Sequence, residues 1–173
     1  IFILLSLFVL SSSSLVIIAQ QQEPKEVVVA QPVDAISLDP PEMEAEHGDN
    51  IVRHIFDKLI KRNKETLEIE PNLAKNWELI NDTTWQYHLR EGVKFHNGES
   101  FTAQDVKFSL EREADIPTWS MKTLGLEKVE VVDKYTVNVT TKNPKPNINT
   151  FLMDVYMVPK DYYGSTPKDK LAI

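Results

Sequence analysis

The sequence LREGVKFHNGESFTAQDV, residues 89–106, decides the fold of this chain. Residues 85–89, which lead into this stretch, alternate large apolar with polar side chains. This pattern predicts a strand with one buried face. A second extended run is expected at 93–95. Asn97 and Gly98 then predict a tight reversal, because Asn-Gly supplies the positive φ angles that such a turn needs.

The end of the same stretch predicts the start of a helix. Thr102 and Asp105 have the spacing of a capping box, in which each side chain bonds the backbone N–H of the other residue. A helix is therefore expected from Ala103 to about Glu113. Strand, turn and capped helix follow one another within a few residues, as in a mixed α/β domain.

These residues together resemble the signature of family 5 extracellular solute-binding proteins, the peptide and oligopeptide receptors of ABC importers. The resemblance rests on Leu-Arg, Gly-Val-Lys-Phe-His, Asn before Gly, and Ala two residues before Asp-Val. The matching positions are Leu89, Arg90, Gly92, Val93, Lys94, Phe95, His96, Asn97, Gly98, Ala103, Asp105 and Val106. We interpret them as mainly structural, serving turns, packing and the helix cap.

Three shorter stretches are similar to the same family. They are Leu-Asp-Pro at 38–40, Pro-x-Leu-Ala at 71–74 before Trp77, and residues 157–162, expected as a strand ending in Val-Pro-Lys and followed by Tyr. The resemblance therefore extends over residues 27–162.

Composition narrows the class of protein. The 173 residues are 42% hydrophobic and 26% charged, which is enough for one core of a globular protein. The net charge of -7 argues against nucleic acid or an anionic membrane as a partner. With no cysteine, disulfides and thiolate metal sites are excluded.

The amino-terminal residues predict export. Residues 1–19 are uncharged and mostly apolar, and a polar run at 20–26 follows, as at the end of a secretory signal peptide. Cleavage is expected after about Ala19, with retention as a membrane anchor as the alternative. Neither Met nor a basic segment precedes Ile1, so the sequence is expected to begin inside its precursor.

The other predicted elements follow from apolar spacing. A strand buried on both faces is expected at 27–30, and a helix capped by Asp49 carries an apolar stripe. The stripe consists of Ile51, Val52, Ile55, Phe56, Leu59 and Ile60. After it we expect a turn at 61–64, a strand at 66–69, two hairpins (77–80 with 85–89, and 126–132 with 135–141) and a short helix at 147–154.

No residue pattern predicts catalysis or a metal. The sequence has no GxSxG, HExxH or phosphate-loop motif, so an enzyme is not expected. The acidic residues at 39, 42, 44 and 46 are expected in a solvated loop, although paired carboxylates are the alternative. None of the four histidines has the close spacing of metal ligands; they are His47, His54, His88 and His96.

A binding site is expected in the loop after the first strand. Ligands of open α/β sheets gather beyond the carboxyl ends of strands, and this loop follows such an end. The candidate residues are Pro32, Val33, Asp34 and Ala35, with Asp34 placed to meet a ligand amine.

The family resemblance implies the rest of the interpretation. The fold would be α/β, of the type II periplasmic-binding-protein kind, and incomplete. Residues 27–58 would begin a discontinuous lobe I, residues 59–155 would form the smaller mixed domain II, and residues 156–173 would return to lobe I.

On the same resemblance, the protein would be a monomer without cofactor. It would capture di- or oligopeptides outside the cytoplasmic membrane and deliver them to a permease and its ATPase. The alternatives are an oligosaccharide receptor, a nickel receptor, and a sensory surface protein with the same fold. A solvent-exposed Trp119 that lines the site would favour the oligosaccharide.

Overall fold

The computed structural model of the protein describes residues 28, 30, 37–42, 46–115 and 124–167. The chain divides into two compact units, Ile1–Ala30 and Gln31–Ile173. Every element described below lies in the second unit. Among the described helices, none is long and apolar enough to cross a bilayer. The predicted signal peptide, the polar run at 20–26 that we expect to be a linker, the four candidate wall residues at 32–35 and Trp119 lie outside the described residues.

The described part is a mixed α/β structure. In chain order its elements are a 3₁₀ turn at Pro40–Glu42, helix α1 at Glu46–Val52, strands β1 at Ile60–Arg62, β2 at Ile69–Pro71, β3 at Ala74–Asn81 and β4 at Thr84–Leu89, helix α2 at Ala103–Ala114, strands β5 at Leu126–Asp133 and β6 at Thr136–Thr141, and helices α3 at Ile148–Leu152 and α4 at Lys160–Ser165.

A four-stranded antiparallel sheet is the centre of the fold. Its order is β3-β4-β6-β5, and β1 and β2 form a separate two-stranded sheet. Both predicted hairpins are confirmed, as β3 with β4 and β5 with β6. Apolar side chains of the sheet, such as Tyr87 and Val139, are buried with Val106 and Leu110 of α2 in one core.

The signature stretch folds largely as predicted, with one correction in its turn. Gly98 has a φ of 89°, but Asn97 keeps a negative φ, so only one positive φ is needed. The Gly98 N–H donates to the carbonyl of Phe95 and the Phe95 N–H donates to Glu99, which makes a three-residue loop with a glycine bulge. Asn97 acts through its side-chain oxygen, which accepts from the Glu99 N–H at 3.0 Å.

The capping box at the start of α2 is confirmed. The Asp105 carboxylate accepts from the backbone N–H of Thr102 at 2.8 Å, and the Thr102 hydroxyl accepts from the first-turn amides. The helix ends at Ala114, one residue beyond the prediction. A local sequence signal was sufficient here, because the cap satisfies N–H groups that no other segment has to reach.

The predicted helix from Asp49 through Ile60 is wrong beyond its first turn. Helix α1 begins at Glu46, so Asp49 lies inside it, and it ends at Val52. Leu59 and Ile60 are fully buried all the same. Their backbone serves long-range pairing, since the Ala74 N–H donates to Leu59 at 2.8 Å and Ile60 pairs with Pro71.

Three predicted extended segments also differ. Val28 and Ala30 are exposed and lie outside any strand, in contrast to the buried strand expected at 27–30. Residues 61 and 62 of the turn expected at 61–64 belong instead to strand β1. The strand expected at 66–69 starts only at Ile69. Residues 157–159 form no strand, because the Val158 N–H donates to the Ser109 hydroxyl at 3.0 Å rather than to a neighbouring strand.

Two distant segments run side by side where the chain enters and leaves the sheet region. Lys58 and Tyr156 form an isolated antiparallel bridge, and the Met157 N–H donates to the carbonyl of Asp57 at 2.9 Å. The Lys58 ammonium also lies 4.0 Å from the centroid of the Tyr156 ring. Residues 59–155 thus start and end at adjacent points, while the predicted domain boundaries stay a prediction.

Candidate functional site

Asp39 forms a buried ion pair, which corrects the expectation that its loop is solvated. Its side chain is 1% exposed, and the Arg112 side chain on α2 is 14% exposed. Arg112 donates to both carboxylate oxygens, through Nη1 at 2.7 Å and through Nη2. The sequence reading missed this pair because 73 residues separate the partners.

Residues 37–42 are folded around that carboxylate. The Asp39 N–H donates to the Ser37 hydroxyl at 3.0 Å, and the Glu42 N–H donates to the Asp39 carbonyl at 3.0 Å. Ser37 and Asp39 are both buried, whereas Glu42 is exposed. The ion pair therefore holds residues 37–42 against helix α2.

Arg112 is one of three polar side chains on a single face of α2. Asp105, Ser109 and Arg112 are spaced four and three residues apart, which aligns them along one side of a helix. Asp105 accepts from the Lys160 N–H at 3.0 Å, and Ser109 accepts from the Val158 N–H. We name these three residues the α2 polar stripe.

The α2 polar stripe holds two segments that are far apart in sequence. Arg112 reaches residues 37–42 through Asp39, and Asp105 and Ser109 reach residues 158–160. The Arg112 guanidinium also lies 5.2 Å from the centroid of the Tyr163 ring on α4. The signature helix is therefore the common support of both segments.

Burial and neighbouring charges shift the pKa values of ionisable side chains near the end of α2. Burial alone would lower the pKa of Arg112, but hydrogen bonds and charge from Asp39 outweigh it and hold the pKa above its usual value. Burial raises the pKa of Glu113 to about 7, against the opposing charge of Arg112 and with added repulsion from Asp39 and Asp154. Burial likewise raises the pKa of Tyr163 to about 12.

An open groove of about 470 Å³ lies beside the signature turn. Its walls come from the turn after α1, the 93–101 loop and the segment around α4. The lining residues are Ile55, Phe56, Asp57, Leu73, Val93, Lys94, Phe95, His96, Asn97, Phe101, Met157, Pro159, Tyr162 and Tyr163. An aromatic wall with Asp57, Lys94 and His96 at its rim has the mixed chemistry of a surface that contacts a peptide or another polypeptide segment.

The aromatic wall was not predicted from the sequence. Phe95 and Phe101 meet edge to face with ring centroids 5.8 Å apart, and Phe56 meets Tyr163 at 6.5 Å. The one available signal was the pair of adjacent tyrosines at 162–163, of which Tyr162 is 49% exposed in the structure.

The signature residues differ in burial and in what they do. Leu89, Ala103 and Val106 are completely buried. The exposed group includes Arg90, whose side chain donates to the Asn72 carbonyl, and Lys94, whose backbone pairs with Ser100. Gly92 and Gly98 have positive φ angles, and Val93, Phe95, His96 and Asn97 line the groove.

Histidine and carboxylate side chains do not converge in the described part of the chain, where no group of three or more potential metal ligands occurs. His88 lies 3.5 Å from Glu78 and 3.5 Å from Thr136 on the sheet. His96 lines the groove, and His54 is exposed.

The chain belongs to family 5 of the bacterial extracellular solute-binding proteins. The family described as "Bacterial extracellular solute-binding proteins, family 5 Middle" matches residues 68–172, more than half of the chain. The recognition made from the signature is thereby confirmed, and the family is one of binding proteins rather than enzymes.

Two relatives are similar to parts of this chain. The chain is 30% identical over 125 residues to the uncharacterized protein YhjP of Bacillus subtilis, covering 71% of this chain and 22% of that protein. It is 39% identical over 71 residues to the HTH-type transcriptional regulator SgrR of Escherichia coli O6:K15:H31, covering 41% of this chain and 13% of that protein.

Solved structures confirm the fold class, the type II periplasmic-binding-protein kind. Helicobacter pylori DppA in complex with the peptide STSA has a TM-score of 0.67 at 27% identity, covering 80% of this chain and 32% of its own. MoaA of A. tumefaciens R10 in complex with mannopinic acid has a TM-score of 0.71 at 27%, covering 80% and 30%. A nickel ABC transporter protein of Bacillus halodurans has a TM-score of 0.63 at 31%, covering 73% and 26%. The chain thus spans about a third or less of these proteins.

Proposed function

We propose that the protein containing this chain is the solute-binding component of an ABC importer, and that its solute is a small peptide. The observation that carries the proposal is the family match over residues 68–172, together with the similar fold of DppA, a periplasmic protein solved with a bound peptide. Binding without chemistry fits the described residues, whose polar clusters hold the fold together.

The proposed mechanism is capture by closure. Two lobes close on the solute, remove water from it, and present the closed form to a permease and its ATPase. An extended peptide would be held mainly by main-chain hydrogen bonds, with looser pockets for its side chains. We place one wall of the cleft at Pro32, Val33, Asp34 and Ala35.

Support for that wall comes from the residues that follow it. Ser37 and Asp39, which come shortly after the proposed wall in the sequence, are buried and hydrogen-bonded. Asp34 would there be available to pair with the amino group of a peptide.

Two further functions have specific support. The nickel protein of Bacillus halodurans and the opine-bound MoaA are as similar to this chain as DppA is, so a nickel complex or an opine is the second candidate solute. The regulator SgrR favours a sensory role instead of transport. Export separates an importer from a transcriptional regulator, because an importer's binding protein works outside the cytoplasmic membrane and a regulator acts on DNA inside it.

Calorimetric titration of the complete protein tests the solute. We expect alanine-based di- to pentapeptides to bind with a dissociation constant of about 1 μM or below, or roughly -8 kcal/mol or stronger. The variant Asp34→Asn should bind them more weakly, and Asp82→Asn, in the β3–β4 turn, is the matched control. Binding of nickel-histidine or mannopinic acid without binding of any peptide would refute the peptide proposal.

Cell fractionation tests the location. We expect the protein outside the cytoplasmic membrane, with a mature amino terminus just after Ala19 by mass spectrometry. A cytoplasmic protein with an intact amino terminus would favour a regulatory role like that named for SgrR.

A further inference from the structure

We propose that Asn97 is a site of spontaneous covalent modification: its side-chain amide is lost by deamidation when the turn at residues 95–99 opens, and the folded turn slows that reaction. The inference goes beyond the proposed function and is independent of the solute. It concerns three consecutive residues, Asn97, Gly98 and Glu99, all of which are exposed to water.

Asn97 is the one asparagine of the sequence that precedes a glycine. The backbone nitrogen of a following residue can attack Cγ of an asparagine side chain, and a glycine leaves this approach open because it has no Cβ. The Gly98 nitrogen gives up its proton to solvent and bonds to Cγ, which forms a cyclic imide. The bond from Cγ to the side-chain nitrogen breaks, and that nitrogen leaves as ammonia.

Water then opens the cyclic imide at one of its two carbonyl groups. If the bond from Cγ to the Gly98 nitrogen breaks, the product is an aspartate with the original main chain. If the bond from the main-chain carbonyl carbon breaks instead, the product is an isoaspartate, whose main chain continues through Cγ. The net reaction consumes one water, releases one ammonia and involves neither oxidation nor reduction.

The folded turn occupies both groups that the reaction needs. The Asn97 Oδ1 atom accepts from the Glu99 N–H at 3.0 Å, which fixes the direction of the side chain. The Gly98 N–H donates to the carbonyl of Phe95 at 2.9 Å. Because the Gly98 nitrogen must lose this proton and approach Cγ, both hydrogen bonds have to break first. The rate of deamidation should therefore follow the free energy of opening this turn.

Contacts on either side of the turn resist that opening. The Phe95 N–H donates to Glu99 at 2.9 Å, and the Phe101 N–H donates to Val93 at 3.0 Å. The rings of Phe95 and Phe101 meet edge to face, and Phe101 is 1% exposed. The tip of the turn is thus open to water while its base is held by the core.

Modification of Asn97 changes the wall of the groove, which this residue lines. An isoaspartate adds one carbon atom to the main chain of a three-residue loop. Since loop length sets the turn type, the hydrogen bonds between Phe95 and Glu99 cannot keep their present geometry. Either product also places a new negative charge next to that of Glu99.

Two other asparagines are matched internal controls, because their side chains make the same contact. The Asn63 Oδ1 atom accepts from the Glu65 N–H at 2.8 Å, and the Asn81 Oδ1 atom accepts from the Thr83 N–H at 3.1 Å. Each is followed by a residue with a side chain, a lysine and an aspartate respectively, which hinders attack by the backbone nitrogen.

The test incubates the complete protein at mildly alkaline pH, either folded or unfolded in guanidinium chloride. Mass spectrometry of its peptides follows the replacement of amide by acid, and chromatography separates aspartate from isoaspartate. Gly98→Ala hinders the approach to Cγ, whereas Asn97→Asp carries the new charge on an unaltered main chain. Amide hydrogen exchange at Phe95 and Phe101 is then measured on the refolded isoaspartate form and on Asn97→Asp.

In the unfolded protein we expect Asn97 to deamidate faster than Asn63 and Asn81 by roughly tenfold or more, which is about 1.4 kcal/mol in activation free energy. Gly98→Ala should bring Asn97 down to the rate of these controls. Folding should slow the reaction at Asn97 by roughly tenfold or more, because the turn has to open first.

The isoaspartate form should lose amide protection at Phe95 and Phe101. Asn97→Asp should keep it, because a carboxylate oxygen can accept from the Glu99 N–H as the amide oxygen does.

Two results would overturn the inference. Equal rates at Asn97 in the folded and the unfolded protein would show that the turn gives no protection. A rate at Asn97 no higher than at Asn63 in the unfolded protein would show that Gly98 does not direct the reaction. No solute is added in these measurements, so a failure of the proposed peptide binding does not affect them.

Discussion

Helix α2 and residues 51–60 both carry apolar side chains at helical spacing, yet only α2 is helical along its whole length. In α2, buried residues such as Val106 and Leu110 follow a capping box that closes the first turn locally. In 51–60 the helix stops at Val52, and the backbone groups of 57–60 bond strands and segments more than ten residues away.

The difference shows what apolar spacing measures. It predicts which side chains are buried, since Leu59 and Ile60 are as fully buried as Leu110. It does not predict the backbone conformation when distant segments compete for the same N–H and C=O groups. A capping signal decides between the two outcomes because it is satisfied within one turn.

The largest expected effect comes from removing a buried side chain, and the test asks whether this costs the same free energy of unfolding in both regions. Leu110→Ala in α2 and Ile60→Ala in β1 should each lower the free energy of unfolding by about 2–5 kcal/mol, because each removes a fully buried side chain and leaves a cavity. Urea unfolding of the two variants measures this.

Leu79→Ala is the control for this pair, since Leu79 is half exposed on β3. Its cost should stay below about 1 kcal/mol. If Ile60→Ala costs no more than Leu79→Ala, then the equivalence of the two regions is wrong.

A second test concerns the charge that α2 carries at its carboxyl end. Burial raises the pKa of Glu113 to about 7 from an ordinary value of 4.5. The folded protein therefore holds this proton more tightly than the unfolded chain does between those two pH values. The contribution of Glu113 to the free energy of unfolding is greatest below pH 4.5, falls as the pH rises to about 7, and is constant above that pH.

Glu113→Gln should remove that fall. Above pH 7 the variant should be more stable than the wild type by on the order of 1–2 kcal/mol, with the difference vanishing towards pH 4.5. Thermal unfolding across this range measures it, with Glu111→Gln, an exposed position on the same helix, as control. A difference independent of pH would contradict the prediction.

A third test concerns the turn that leads into α2. Gly98→Ala should cost about 1–2 kcal/mol of unfolding free energy, because a φ of 89° is strained for a residue with a Cβ. Gly164→Ala in α4 is the matched control: its added Cβ would meet the Phe108 ring at an ordinary 3.8 Å, so we expect a gain of up to about 1 kcal/mol. Equal effects at both glycines would show that the turn conformation is not what Gly98 supplies.

The smallest expected effect is at the cap itself. Thr102→Ala should lower the free energy of unfolding by about 1 kcal/mol, because an N-terminal amide loses its acceptor. Thr102→Ser keeps the hydroxyl and should stay within a few tenths of 1 kcal/mol of the wild type. Chemical denaturation of both variants distinguishes the loss of the hydroxyl from the loss of the methyl group.

Local signals made much of the fold predictable. The two hairpins, helix α2 with its cap, and the short helix α3 each depend on residues that are close in sequence. The predictions for 55–60 and 157–159 were wrong because these residues bond to other segments of the chain. Leu59 accepts from Ala74, Asp57 accepts from Met157, and Val158 donates to Ser109. No pattern within one segment carries that information.

The candidate site divides in the same way. The signature was recognised because its residues are contiguous, and the candidate wall at 32–35 stays a prediction. The burial of Asp39 was missed, since an acidic residue among others is normally solvated and its partner lies on α2. Neither the Leu-Asp-Pro at 38–40 nor the distant Arg in a helix indicates from the sequence that the two are ion-pair partners.

The adjacent ends of residues 59–155 have a practical consequence for protein engineering. Because Lys58 and Tyr156 are paired in an antiparallel bridge, the stretch between them behaves as a cassette whose replacement leaves the flanking chain at the same spacing. Chimeras that exchange this cassette among family members should need compatible junctions at only these two points, provided that the donor helix carries the Asp, Ser and Arg of the α2 polar stripe.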